Sequence, residues 1–180
     1  MKTEAIPCER VPSLTAHDLC DRYAERVYRF ASMVSKGDAE AEDIAQDALE
    51  RAIRALPSFD PSRGTPEAWL WKIVVNVAND AGRSARRRHL LLEKLLALRA
   101  QEPVHLDIPE SISDPDILAA IRELRPRERE AIALRFAGDL DYATAGNLLG
   151  ISAAAAGVAT RRALAHLRRR LTKPQGGKEI

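Results

Sequence analysis

Residues 142–171 read YATAGNLLGISAAAAGVATRRALAHLRRRL. Asp141 stands just before this stretch and Ser152 lies within it. Both residue types cap helices by accepting a hydrogen bond from a backbone N–H one turn further on. Gly150 follows Leu149 where a glycine ends a helix. Two short helices joined by a glycine turn form a helix-turn-helix, whose second helix enters the DNA major groove. Here that helix opens on Ala153, Ala154, Ala155, Ala156 and Gly157. Alanine meets a thymine methyl but cannot make the bidentate contacts worth roughly 1–3 kcal/mol per base. Gly157 costs the helix about 1 kcal/mol relative to alanine. Cations return at Arg161, Arg162 and Arg168–Arg170, where they hold phosphates without reading sequence.

Upstream, Pro126 opens a helix to about residue 136, and Asp114-Pro115 opens another to about 124. Ile132, Leu134, Phe136, Tyr142, Leu148, Leu149 and Ile151 supply the apolar scaffold of this C-terminal unit. Residues 101–118 hold five acidic residues, three prolines and no Lys or Arg, the composition of an extended linker. Further back, Leu19, Tyr23, Val27, Phe30 and Val34 recur at spacings of four and three, predicting a helix over 14–34. Ala45, Ala48, Leu49, Ala52, Ile53 and Leu56 mark a second, stopped by Pro57. The loop PSFDPSRG leads to a third, capped by Thr65 with Pro66 at its first position. Leu70, Ile73, Val74, Val77 and Ala81 supply its buried stripe, and it runs on to about 98 with Gly82 offering a kink. No stretch alternates as a strand does. The expected fold is all-α: two small separate helical domains, 10–98 and 114–172, an extended acidic linker over 99–113, and a tail over 173–180.

The 28 basic and 26 acidic residues nearly cancel, so where each sign collects says more than the net charge. Cys8 and Cys20 form no metal-binding spacing, and with His17 they lack a fourth zinc ligand. No metal or cofactor is expected. Nor is an enzyme, since there is no nucleotide loop, no HExxH and no nucleophile beside a base. No apolar run approaches the roughly 20 residues that span a bilayer, and the N-terminus lacks a signal peptide's apolar core, so a cytoplasmic protein without membrane contact is expected.

Two polar faces carry chemistry. Asp43, Gln46, Asp47 and Glu50 fall at i, i+3, i+4 and i+7, opposite the apolar stripe of the second helix. Like charges at this spacing disfavour an isolated helix, so the ridge is either a solvated face or a docking surface for a basic protein. On the third helix Lys72, Asn76, Asn79, Arg83 and Arg87 form a second line. Asparagine is a poor helix former, but its amide pairs with base edges while Lys and Arg hold phosphates. Trp69 and Trp71 flank Leu70; Trp69 is expected in the core and Trp71 as an exposed stacking platform.

The order of GDAEAEDIAQDALERAIRAL, FDPSRGTPEAWLWKIVVNVANDAGRSARRR, a linker and LRPREREAIALRFAGDLDYATAGNLLGIS resembles bacterial RNA polymerase sigma factors of the extracytoplasmic-function (ECF) type. The resemblance implies that Asp43, Gln46 and Asp47, with Glu50 and Arg51 beside them, contact the clamp helices of the polymerase's largest subunit. It implies that FDPSRGT and the helix after it read and melt the minus-10 promoter region. Phe59, Ser62 and Arg63 would then line a pocket for a base pulled from the stack, with Trp71, Lys72, Asn76, Asn79, Asp80, Arg83 and Arg87 facing that DNA. Ser152, Ala155, Arg161 and Arg162 would meet the minus-35 region, weakly and by shape. The linker would thread the polymerase towards the RNA channel, and the second domain would meet the flap of the second-largest subunit or an anti-sigma factor. The competing expectation is a stand-alone helix-turn-helix regulator that binds operator DNA, as a dimer, without polymerase.

Overall fold

The computed structural model describes residues 15–96 and 114–172, with side chains for all of these except 85–96. The expected linker and tail, Cys8 and the Arg87 side chain lie outside the described residues.

Helix α1 (Ala16–Val34) begins two residues later than its apolar period suggests, because Thr15 caps it. The Thr15 hydroxyl accepts from the Asp18 N–H at 3.1 Å, and the Asp18 carboxylate accepts from the Thr15 N–H at 3.0 Å, a reciprocal box that satisfies two otherwise orphan donors. Helix α2 (Asp38–Ala55) follows a short turn and passes into a 3-10 turn at Leu56–Ser58. A second 3-10 turn, Pro61–Arg63, is capped by Asp60, and Gly64 leaves it at φ +146°, a conformation that side chains disfavour. Helix α3 (Pro66–Leu96) runs through Gly82 without a break.

The second unit comprises α4 (Pro115–Arg122), α5 (Pro126–Phe136), α6 (Tyr142–Leu149) and α7 (Ala153–Leu171). Asp114, Asp141 and Ser152 each accept a backbone N–H at the start of their helices. Gly150 sits in the left-handed region at φ +66°, and α6 and α7 meet at 98°, within the range of a helix-turn-helix. Gly146 makes that angle possible. A Cβ there would lie 2.8 Å from the Ile151 carbonyl oxygen and 3.1 Å from the Ala153 nitrogen. Among the described residues there is no strand, and no single helix is long and apolar enough to cross a membrane.

Burial differs from the sequence expectation in three places. The inner face of α2 is built from Ala41, Ile44, Ala45, Ala48 and Ala52, while Ile53 is exposed. Ile53 stands one helical step, about 100°, round from the buried Ala52 and so falls outside the face that α1 and α3 cover. Phe136 and Tyr142, expected in the scaffold of the second unit, are also exposed. The two units form as expected, and they pack on one another. Helix α1 touches α4 and α5 as well as α2 and α3, and one cluster of buried apolar residues runs through both units. A unit as small as α4–α7 closes little core alone and gains by sharing one.

Candidate polymerase and promoter interface

The outer face of α2 carries Asp43, Gln46, Asp47 and Glu50, but it is not bare acid. Arg51 grips Asp47 with two bonds of 2.7 Å, Arg54 reaches Glu50 at 2.7 Å, and Gln46 donates to Glu50 at 3.1 Å. These i,i+4 pairs offset the like-charge repulsion that the ridge alone would create. Arg51 also reaches across to Asp80 of α3 at 3.7 Å, and Arg83 donates to the other Asp80 oxygen at 2.7 Å. Asp47, Arg51, Asp80 and Arg83 thus form one chain of charges from ridge to α3. Hydrogen bonding from Arg83, and then its charge, holds the Asp80 carboxyl below its ordinary range; hydrogen bonding and charge from Asp47 hold the Arg51 guanidinium above its own. A shallow groove of about 340 Å³ lies between the helices, with Asp43, Asp47, Arg51 and Asp80 on its walls.

The loop between α2 and α3 closes over a recess of about 520 Å³. Phe59, Arg63, Trp69, Lys72 and Asn76 line it together with Asp60, Gly64 and Thr65. The Phe59 and Trp69 rings lean on one another at 5.2 Å and 52°, forming one aromatic wall. Arg63, Lys72 and Asn76 add two cations and an amide to its lining. Such a recess can seat a planar ring against the aromatic wall while amide and cations meet its polar rim.

Two expected residues are placed elsewhere. Ser62 does not line the recess: its hydroxyl and N–H both donate to the Asp60 carboxylate, at 2.7 and 2.9 Å. Trp71 is wholly buried, edge-on to Phe30 at 5.5 Å and 70°, with the Arg26 guanidinium over its ring. It is not an exposed platform; Trp69, half-buried against the core, is the tryptophan that lines the recess. The signal was in the spacing. Continuing the line Lys72, Asn76, Asn79, Arg83 backwards by three reaches Trp69, whereas Trp71 falls three before Val74 on the buried face.

Asn79 and Arg83 are exposed further along α3. On the second unit the Ser152 hydroxyl is engaged as the α7 cap, at 3.2 Å from the Ala155 nitrogen. Ala155, Arg161 and Arg162 are exposed on α7. Arg170 is drawn to Glu123 of α4 at 3.1 Å. The first turns of α7 therefore present methyl groups, and its outward cations come later.

The family model for sigma-70 region 2 matches residues 19–88, and that for sigma-70 region 4 matches residues 115–167. The ECF RNA polymerase sigma factor BldN of Streptomyces coelicolor is 31% identical over 134 residues, covering 73% of this chain and 51% of BldN. The RNA polymerase sigma factor CarQ of Myxococcus xanthus is 32% identical over 156 residues, covering 84% of this chain and 86% of CarQ. This chain thus spans about half the length of BldN and most of CarQ. Among solved structures, the sigma factor RpoE bound to the anti-sigma factor NepR from Bartonella quintana superposes with a TM-score of 0.66 at 25% identity, covering 84% of this chain and 93% of RpoE.

Proposed function

The chain belongs to the RNA polymerase sigma factors of the ECF type, and on that premise we propose that it binds core RNA polymerase and directs initiation at a defined set of promoters. The observation that carries this reading is the recess between α2 and α3. An aromatic wall, two cations and an amide converge there, at the head of the polar line along α3.

On this reading the α2 ridge docks on the basic clamp helices of the largest subunit, with Asp43 and Asp47 central and Glu50 and Arg51 flanking. Promoter DNA then lies along α3. A non-template base leaves the stack, rests on Phe59 and Trp69, and is read by Asn76 and Arg63. Unstacking costs a few kcal/mol, and stacking on an aromatic side chain returns about 1–3 kcal/mol, so only a base that also satisfies the rim holds the strand open. Lys72, Asn79 and Arg83 track the phosphates. The α4–α7 unit meets the minus-35 region through Arg161 and Arg162, mostly by phosphate, and its apolar surface faces the flap. No catalytic residue is needed, because the polymerase supplies the chemistry. The protein works in the cytoplasm, where that polymerase is, and an anti-sigma factor is a fitting regulator. A stand-alone helix-turn-helix regulator would have no use for the unit that matches region 2.

Gel filtration with core polymerase tests the docking half. Wild type should co-elute with core, and Asp43→Ala/Asp47→Ala should not, while Asn76→Ala should co-elute but fail to retain promoter DNA. Co-elution of the double variant at wild-type affinity would remove the ridge from the account.

A further inference from the structure

The aromatic wall of the α2–α3 recess stacks any base, since every base has a π-face. Choice among bases falls to the polar groups of the lining, and these differ in kind. Arg63 and Lys72 only donate hydrogen bonds, and the Asn76 amide both donates and accepts. The Thr65 hydroxyl oxygen accepts from the Ala68 N–H at 3.2 Å, and the Ser58 hydroxyl donates to the Ala55 carbonyl at 2.7 Å. Among the described residues Asp60 is the one carboxylate on the lining.

The local fold decides how much of that carboxylate is left for a ligand. Pro61 sets the chain for the 3-10 turn, and the Ser62 N–H and hydroxyl both donate to Asp60 Oδ1, at 2.9 and 2.7 Å. Oδ1 is thereby saturated. Among the described residues no group donates to Oδ2 and no cation pairs with it. The Ser62 hydrogen bonds, and then the Arg63 charge, hold the carboxyl below its ordinary range, so it is ionised at neutral pH. What remains is a single anionic acceptor without a proton to give.

The four bases answer such an acceptor differently. Cytosine and adenine carry an exocyclic amine, at N4 and N6, where thymine and guanine carry a carbonyl oxygen, at O4 and O6. Facing Oδ2, the amine donates and the carbonyl oxygen is repelled. Guanine also has N1–H and N2–H donors, but a paired contact with them needs both carboxylate oxygens, and Oδ1 is taken.

We infer that Asp60 makes the recess selective for an amine-bearing base, cytosine or adenine, over thymine and guanine. The inference rests on the reading of the recess as the seat of an unstacked promoter base. It assigns to Asp60 the choice between amine and carbonyl, with Asn76 and Arg63 meeting the acceptors of the same base.

The test uses core polymerase with the full chain, as wild type, Asp60→Asn and Trp69→Ala, and forked duplexes whose non-template strand is single-stranded and randomised over the minus-10 region. Retained strands are sequenced, and circular dichroism verifies the fold. Asparagine accepts through its own side-chain oxygen and so keeps the cap, but its amide also donates. Wild type should enrich cytosine or adenine at one position by about tenfold, the scale of one charge-assisted hydrogen bond. Asp60→Asn should bring that ratio close to one and leave the other positions unchanged. In a duplex with cytosine at that position, exchange for pyrimidin-2-one, which lacks the amine, should cost wild type about tenfold in affinity and Asp60→Asn nothing. Trp69→Ala should lose selection at that position only. If the position that depends on Trp69 favours thymine or guanine, or if its preference for an amine survives Asp60→Asn, the inference is overturned while the recess stands. If Trp69→Ala leaves selection unchanged at every position, no base rests in the recess, and the role of Asp60 falls with that reading.

Discussion

Two glycines of the helix-turn-helix tolerate change differently, and the reason is what a methyl group would meet. At Gly146 it would meet the backbone of Ile151 and Ala153 at 2.8 and 3.1 Å, which can yield only if the turn opens. Gly146→Ala should cost roughly 1–3 kcal/mol in urea unfolding. At Gly157 the nearest atoms are Arg161 Nη1 at 3.6 Å and the Tyr142 ring at 3.8 Å, ordinary contact distances. Gly157→Ala should therefore stabilise the protein, by up to about 1 kcal/mol of helix propensity. The tryptophans separate in the same way. Trp71→Ala empties a wholly buried site and should cost about 3–5 kcal/mol. Trp69→Ala should cost less in unfolding and instead abolish promoter opening. Judging the two by their place beside Leu70 reverses them; helical spacing assigns Trp71 to the core only once the polar line from Lys72 to Arg83 is followed back to 69.

Among the elements, the caps were the most readable feature, since Thr65, Asp114, Asp141 and Ser152 each hold a backbone N–H at a helix start, although the Thr15 box that delays α1 is a cap the apolar period does not announce. Three capping aspartates are held below the ordinary carboxylate range: Asp18 by the Thr15 hydroxyl, Asp60 by the Ser62 hydroxyl, and Asp141 by the Thr144 N–H. A carboxyl with a depressed folded pKa contributes stability that is present above its unfolded value, about 3.9, and is lost as pH falls through the folded value. Helix stability should thus hold from neutral pH to about 4 and decline below it. An asparagine in place of Asp141 caps without titrating, so Asp141→Asn should flatten that part of the acid limb in thermal melts followed by circular dichroism. The α2–α3 charge chain was less legible. Asp47 and Arg51 announce themselves at i,i+4, but Arg51 meeting Asp80 requires knowing how the two helices cross.

For the molecule as a whole, the helix count and the place of each motif followed from period, caps and prolines. The contact between units did not. An amphipathic pattern says which face of α1 is apolar but not whether α2 and α3 exhaust it, and the link from Arg26 to Gly138 joins residues 112 apart in sequence. On the proposed function, the alanine-rich start of α7 would leave the minus-35 contact to cations further along, and the choice of promoter to the α2–α3 recess. Run-off transcription with core polymerase on genomic fragments tests that account most directly. Wild type should yield discrete start sites. Asn76→Ala should lose them while still binding core, and replacing Ala154 and Ala155 by serine should leave their sequence preference unchanged. No transcripts from wild type on any fragment, or start sites that survive Asn76→Ala at full strength, would contradict it.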